Sequence, residues 1–329
     1  MKVGKSDLVE AKKGRTSSVA MRKPTLDTPP IRDGLKGSVA KALPDHALEP
    51  AVAAEASSTQ VPERDPIGWC ARLWSLCTGS DFDPDLTPVS AEFLAFLAMK
   101  GMDTPRITPL FDVEYYAEQI SWQLEPKNYI LHYCESALDA VVQPHVMFDG
   151  DHILSQAGLK VFDRPPLLYF LEENDPSLSP HPLFEPDLYA AAVGDEFLAG
   201  DLPVVAFIDR WAQKPAPFSS YFCHSYYCLH EPVVRYSWLN PLLHFLSMPP
   251  ERRRDPNPMF HRGWYASSLP DNEGGKTEPL VHYIRYGLPL GMMPNPFAYE
   301  ELRASSLGLP ALVATLRRYL SFPTELSAT

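Results

Sequence analysis

From residue 109 onward the apolar positions follow a recurring order rather than one helical or strand period. A proline-containing stretch ends in a phenylalanine, and the position five residues later is again apolar or aromatic. The phenylalanines are Phe111, Phe148, Phe184, Phe222, Phe260 and Phe297, spaced 37, 36, 38, 38 and 37 residues apart. Their followers are Tyr116, Ile153, Tyr189, Tyr227, Tyr265 and Leu302. A fixed period between 20 and 50 residues signals stacked supersecondary units.

Each unit reads as two helices. Asp112, Asp149 or Glu185 comes directly after the first three phenylalanines. An acid there caps a helix whose first N–H groups lack partners. The phenylalanine is then the residue before the cap and its follower lies one turn in, the arrangement of a hydrophobic staple. A second helix starts at NPLLHFL, residues 240 to 246, and at EPLVHYIRYG, residues 278 to 287, with Pro241 and Pro279 at its first position and Gly287 as a left-handed C-cap. A helix over 91 to 100 supplies the second half of an earlier unit, and residues 66 to 77, with Trp69 and Trp74, supply its first half. Residues 311 to 320 close the last copy. The fold class expected is all-α: tandem two-helix repeats of about 37 residues, α-solenoid-like or a compact helical array, over residues 66–329. The 35 prolines fit between helices and oppose a β-sheet.

Composition changes the picture at the N-terminus. Residues 1 to 64 hold no Phe, Tyr or Trp and cannot offset the entropy of ordering, so residues 1–65 read as a disordered tail. That tail carries 11 Lys and Arg against 8 Asp and Glu, which leaves 18 against 33 for the remainder. An acidic body argues against nucleic acid as partner. No stretch has the apolar length of a membrane span, and no secretory leader is evident, so the expected location is cytoplasmic. The basic tail offers a peripheral contact with an inner membrane. Five cysteines without a CxxC pair suggest reduced thiols.

The units resemble a bacterial repeat of the form P-L-F-D-x-x-Y-Y followed by N-P-L-x-H-Y-x-x-x-G, found in and beside glycosyltransferases of surface polysaccharide synthesis. PLFDVEYY at 109 to 116, HPLFEPDLY at 181 to 189, and residues 257 to 296 carry the likeness. It covers about residues 88 to 320, and the family's E-G-R is replaced by Leu290, Gly291 and Met292. The resemblance implies a pathway more than an activity, because the repeats leave almost no chain for a sugar-nucleotide fold. It implies a non-catalytic interaction or glycan-binding protein whose partner is a polysaccharide-assembly protein or a glycan. The alternatives are a glycosyltransferase using a metal, and a self-associating structural array.

Candidate chemistry is weighed against this helical frame. Tyr115, Tyr226 and Trp264 could stack on sugar rings where exposed, although such spacing also suits packing. His132, His244 and His282 fall at the same point of their second helices and could line a ligand face or bond to a neighbouring group. Cys223, His224, Cys228 and His230 offer four zinc-type donors, in a stretch the repeat also explains as cap and staple. Asp81, Asp83 and Asp85, and Asp149 with Asp151, have the spacing used to hold a metal and a diphosphate, but Asp149 already has a capping role. No GxGxxG, Walker, GxSxG or HExxH motif occurs, and no cofactor is implied.

Overall fold

The computed structural model describes residues 64–80, 90–120, 127–139, 142–194, 202–270, 277–302 and 307–321. The expected tail, including its basic run, lies outside these residues up to residue 63. Among the described residues there are fifteen α-helices and no strand, so the fold is all-α. In chain order they are α1 (Pro66–Thr78), α2 (Ala91–Ala98), α3 (Val113–Ile120), α4 (Tyr129–Ser136) and α5 (Gly150–Ala157). Next come α6 (Pro166–Glu173), α7 (Pro186–Val193), α8 (Pro203–Arg210), α9 (His224–His230) and α10 (Pro232–Ser237). The last five are α11 (Pro241–Ser247), α12 (Arg262–Ser268), α13 (Pro279–His282), α14 (Pro296–Leu302) and α15 (Leu309–Leu320). No described helix is long and apolar enough to cross a membrane.

The staple geometry is explicit. Phe111, Phe148, Phe184, Phe222 and Phe260 are buried, and so are Tyr116, Ile153, Tyr189, Tyr227 and Tyr265. Ring centroids of the phenylalanine and the following tyrosine stand 5.1 Å apart for Phe111–Tyr116, 5.8 Å for Phe184–Tyr189, 5.2 Å for Phe222–Tyr227 and 5.4 Å for Phe260–Tyr265. Burying each such side chain stabilises by roughly 1.5–3 kcal/mol, which makes these pairs the main local anchors of the fold. Capping divides by residue type. The Asp112 carboxylate accepts from Tyr115 N, Asp149 from His152 N, and the His261 imidazole from Trp264 N. Glu185 does not cap its own helix; its longer side chain reaches Ser220, accepting from the backbone N–H and from Oγ at 2.8 Å.

Two corrections concern single positions. Phe297 is 74% exposed, whereas Ala298 is fully buried. Asn295, three residues before Ala298, donates Nδ2 to Met259 O as Asn257, three before Phe260, donates to Tyr221 O. The buried place of the sixth anchor thus belongs to Ala298. Gly287 is not a left-handed cap: α13 runs into a π-helical turn over Tyr283–Gly287, and the positive φ falls at Gly291. Gly287 is needed for space, since a Cβ there would stand 2.2 Å from the Tyr265 hydroxyl.

Consecutive segments are joined by one kind of main-chain bond. The residue after each phenylalanine donates its N–H 31 to 33 residues ahead: Asp112 to Pro144 O, Asp149 to Pro180 O, Glu185 to Phe218 O, Cys223 to Pro256 O and His261 to Pro294 O. Helix α1 packs on α4 and α6. Arg285 meets Asp149 at 2.7 Å although 136 residues separate them. Segments far apart in sequence thus meet through a partly exposed ion pair.

Candidate binding site

The three histidines share one role. Tyr116 Oη lies 2.7 Å from His132 Nδ1, Tyr227 Oη 2.8 Å from His244 Nδ1, and Tyr265 Oη 2.9 Å from His282 Nδ1. Each stapling tyrosine on the first helix thereby locks the imidazole of the second. His132 is buried and burial holds its pKa below the usual value, so the neutral ring is the stable one. These imidazoles join the helices internally rather than forming an open ring of donors.

The expected aromatic ligand face is only partly available. Tyr115, Tyr226 and Trp264 are half-buried beside their fully buried neighbours Tyr116, Tyr227 and Tyr265. Successive helical side chains diverge by about 100°, so only one of each pair can point into the core. The Tyr226 ring is covered by His230, with centroids 4.2 Å apart, and His230 Nδ1 meets Tyr226 O at 2.8 Å.

Cys223, His224, Cys228 and His230 do not converge; among the described residues no three His, Cys, Asp or Glu side chains are grouped to hold a metal. Cys223 Sγ lies by Ser225 Oγ, His230 turns to Tyr226, and His224 packs on the rings of Trp211 and Phe218. All five cysteines are free thiols. Of the DxD acids, Asp81, Asp83 and Asp85 lie outside the described residues. Asp149 spends Oδ1 on the cap of α5 and Oδ2 on Arg285.

Two surface cavities lie among the described residues near charged or aromatic groups. The larger, about 570 Å³, is lined by Arg253, Arg262, Asp255 and Glu278 among others. These four charged groups are committed within the fold. Arg262 Nε donates to Glu278 Oε1 at 2.6 Å with both side chains under a tenth exposed, and the guanidinium also reaches the carbonyls of Arg253 and Pro250. Arg253 donates to Met248 O and Leu246 O, and Asp255 accepts from Arg262 N.

The smaller cavity, about 390 Å³, lies at α9 and α10 and is lined by Trp211, His224, Ser225, Arg235, Tyr236 and Trp238, with mostly apolar neighbours. Helix α10 occupies the linker between the first and second helices of this copy, which is no longer than the linker that follows α12. Glu231 ends α9 and precedes Pro232 at the first turn of α10, and Arg254 holds Glu231 at 2.6 Å. Only Val234 of α10 is buried, while Tyr236 is 77% and Trp238 62% exposed. Trp238 has φ 54°, and the other non-glycine residue with positive φ among those described is an asparagine, Asn174. A bulky residue in that region is strained by of order 1–3 kcal/mol. Arg235, Tyr236 and Trp238 were not among the candidates read from the sequence, although His224 and Cys228 beside them were. The signal for α10 was Glu231-Pro232, a helix start placed before Asn240-Pro241 had begun the expected one.

In comparisons with known proteins the chain matches no family model, no curated protein and no solved structure.

Proposed function

We propose that this chain is a non-catalytic glycan-binding module serving surface-polysaccharide assembly, with the α9–α10 face as its contact. The observation that carries this reading is the pair of exposed rings, Tyr236 and Trp238, beside a cavity of about 390 Å³. That size suits a small ring-shaped ligand, since ligand clefts run from about 300 to 1,000 Å³. Aromatic faces offer apolar area to the C–H face of a sugar, and a backbone strained at Trp238 is a feature that packing alone does not require. The resemblance of the repeats to those beside polysaccharide-building glycosyltransferases supplies the pathway. The remaining helices, joined through their Tyr–His pairs, act as the frame that holds this face rigid.

Co-sedimentation of the full chain with surface polysaccharide extracted from its own cells tests the reading. Retention that falls at least tenfold in Trp238→Ala, with the helical circular dichroism signal intact, is the expected result. Equal passage of the wild-type chain through polysaccharide and through a blank matrix would refute it.

A further inference from the structure

His224 and Arg235 of the α9–α10 cleft are not spent on the fold, in contrast to Arg253, Arg262, Asp255 and Glu278 of the larger cavity. His224 is held edge-on to Trp211, with centroids 5.7 Å apart at 81°, and lies close to Phe218. Its ring nitrogens make no hydrogen bond to any described residue, and burial alone keeps the imidazole neutral, able to donate from one nitrogen and accept at the other. Arg235, exposed, sits 5.9 Å from the Tyr236 ring centroid and forms no ion pair among the described residues. Glu231, one turn before it, is already bound to Arg254, and no described acid lines the cavity. The Ser225 hydroxyl faces the same space, its one contact being the Cys223 thiol at 3.4 Å.

Resting on the glycan reading above, we infer that this cleft selects a pyranose bearing a carboxylate. The sugar's apolar face lies on Trp238 and Tyr236, its hydroxyls meet His224 and Ser225, and its carboxylate meets Arg235. Each part of the ligand answers a part of the wall. The rings supply apolar area, the neutral imidazole and hydroxyl supply both donors and acceptors, and the guanidinium matches a planar carboxylate through two parallel N–H bonds. A helix from a protein partner fits less well, because a cation beside a small cavity does not match an extended apolar stripe. Strain at Trp238 adds an independent reason: the position costs stability, and a glycine would adopt φ 54° freely.

Titration of the full chain with trigalacturonic acid and with the same trimer after carboxyl reduction, followed by calorimetry and tryptophan fluorescence, is the test. The acid trimer should bind at least tenfold more tightly than the reduced one. Arg235→Gln should erase that difference by bringing the acid trimer down to the affinity of the reduced one. Trp238→Gly should abolish binding of both trimers while unfolding at the wild-type temperature or above, which separates lost contact from lost fold. Equal affinity for the two trimers in the wild-type chain would overturn the charge selection and leave the glycan reading standing. If neither trimer binds, the cleft assignment falls, and retention on native polysaccharide decides separately whether the glycan reading falls with it. A Trp238→Gly chain that binds like wild type would also overturn the proposal.

Discussion

At the scale of single residues, the tyrosine hydroxyl set on an imidazole nitrogen is the most informative contact in the molecule. It explains why a histidine recurs in the second helix. The ring fills space like an aromatic side chain and also gives a buried hydroxyl its partner. Tyr189 occupies the corresponding staple in the third copy but has Val205 and Ala206 at the matching distance, so it has no imidazole to meet. This contrast yields a measurable difference. Tyr265→Phe leaves buried His282 without its 2.9 Å partner and should cost about 1–2 kcal/mol in urea unfolding. Tyr189→Phe deletes a hydroxyl with no such bond and should cost less than half as much. Equal losses in the two variants would remove the Tyr–His pair as a stabilising unit. The histidine recurrence was visible in the sequence; its partner was not, because spacing along two helices does not fix which side chains face each other across them.

Elements show more clearly where sequence reasoning ends. Two second helices begin where proline follows a side-chain acceptor, α11 after Asn240 and α13 after Glu278. Asn128 and Asn240 each accept two N–H groups of their own helix and donate Nδ2 back to Phe96 O and Phe207 O. Glu278 takes the same capping place, with Oε2 on Leu280 N and Val281 N, but a carboxylate has no donor to send backward. Arg262 fills the gap through the buried ion pair to Oε1. Glu278→Gln keeps the cap and weakens the charge pairing of a guanidinium that is almost fully buried, so it should destabilise by about 3 kcal/mol. Asn128→Ser retains a capping oxygen without adding a buried charge and loses the Nδ2 bond to Phe96 O, so it should cost about 1–2 kcal/mol. Chemical denaturation of both variants checks the order, and a smaller loss for Glu278→Gln would mean the ion pair contributes little. The substitution of Glu for Asn was legible at position 278; the compensating Arg262 lay sixteen residues earlier with nothing in the local pattern to mark it. The linker helix α10 escaped for another reason. A six-residue helix with one buried residue leaves almost no periodic trace, so only its proline could announce it.

For the whole molecule, the turn that leads into each unit is held by groups that the repeat pattern alone leaves as spacers. The residue three before each buried anchor accepts a backbone N–H: Thr108, His145, His181, Ser219, Asn257 and Asn295 all do so. In two copies the acceptor is an imidazole Nδ1, which can serve only while deprotonated there. Burial lowers the pKa to about 4 for His145 and about 3 for His181. His181 faces Asp149, which favours its protonation, and His152, Arg285 and Arg253, which oppose it, at the place where the second and fifth copies meet. The sign follows from comparing the two states. An unfolded histidine takes up its proton near pH 6.5, whereas these folded ones stay neutral to about 4 and below, so the unfolded chain binds more protons in that window. Stability is full above pH 6.5 and falls as pH drops toward 4. Asp149, held below the usual carboxylate range despite its burial by Arg285 and the α5 N–H, keeps its charge throughout and adds nothing to this slope. The melting temperature should therefore decline steadily between pH 6.5 and 4.5. His145→Asn with His181→Asn retains an acceptor of the kind Asn257 already provides and removes two of the titrating groups, so the slope should become shallower while the value at pH 7.5 changes little. A slope that is unchanged in the double variant would place the acid sensitivity elsewhere, and a wild-type profile flat over the window would mean that these imidazoles do not link protonation to stability of the fold.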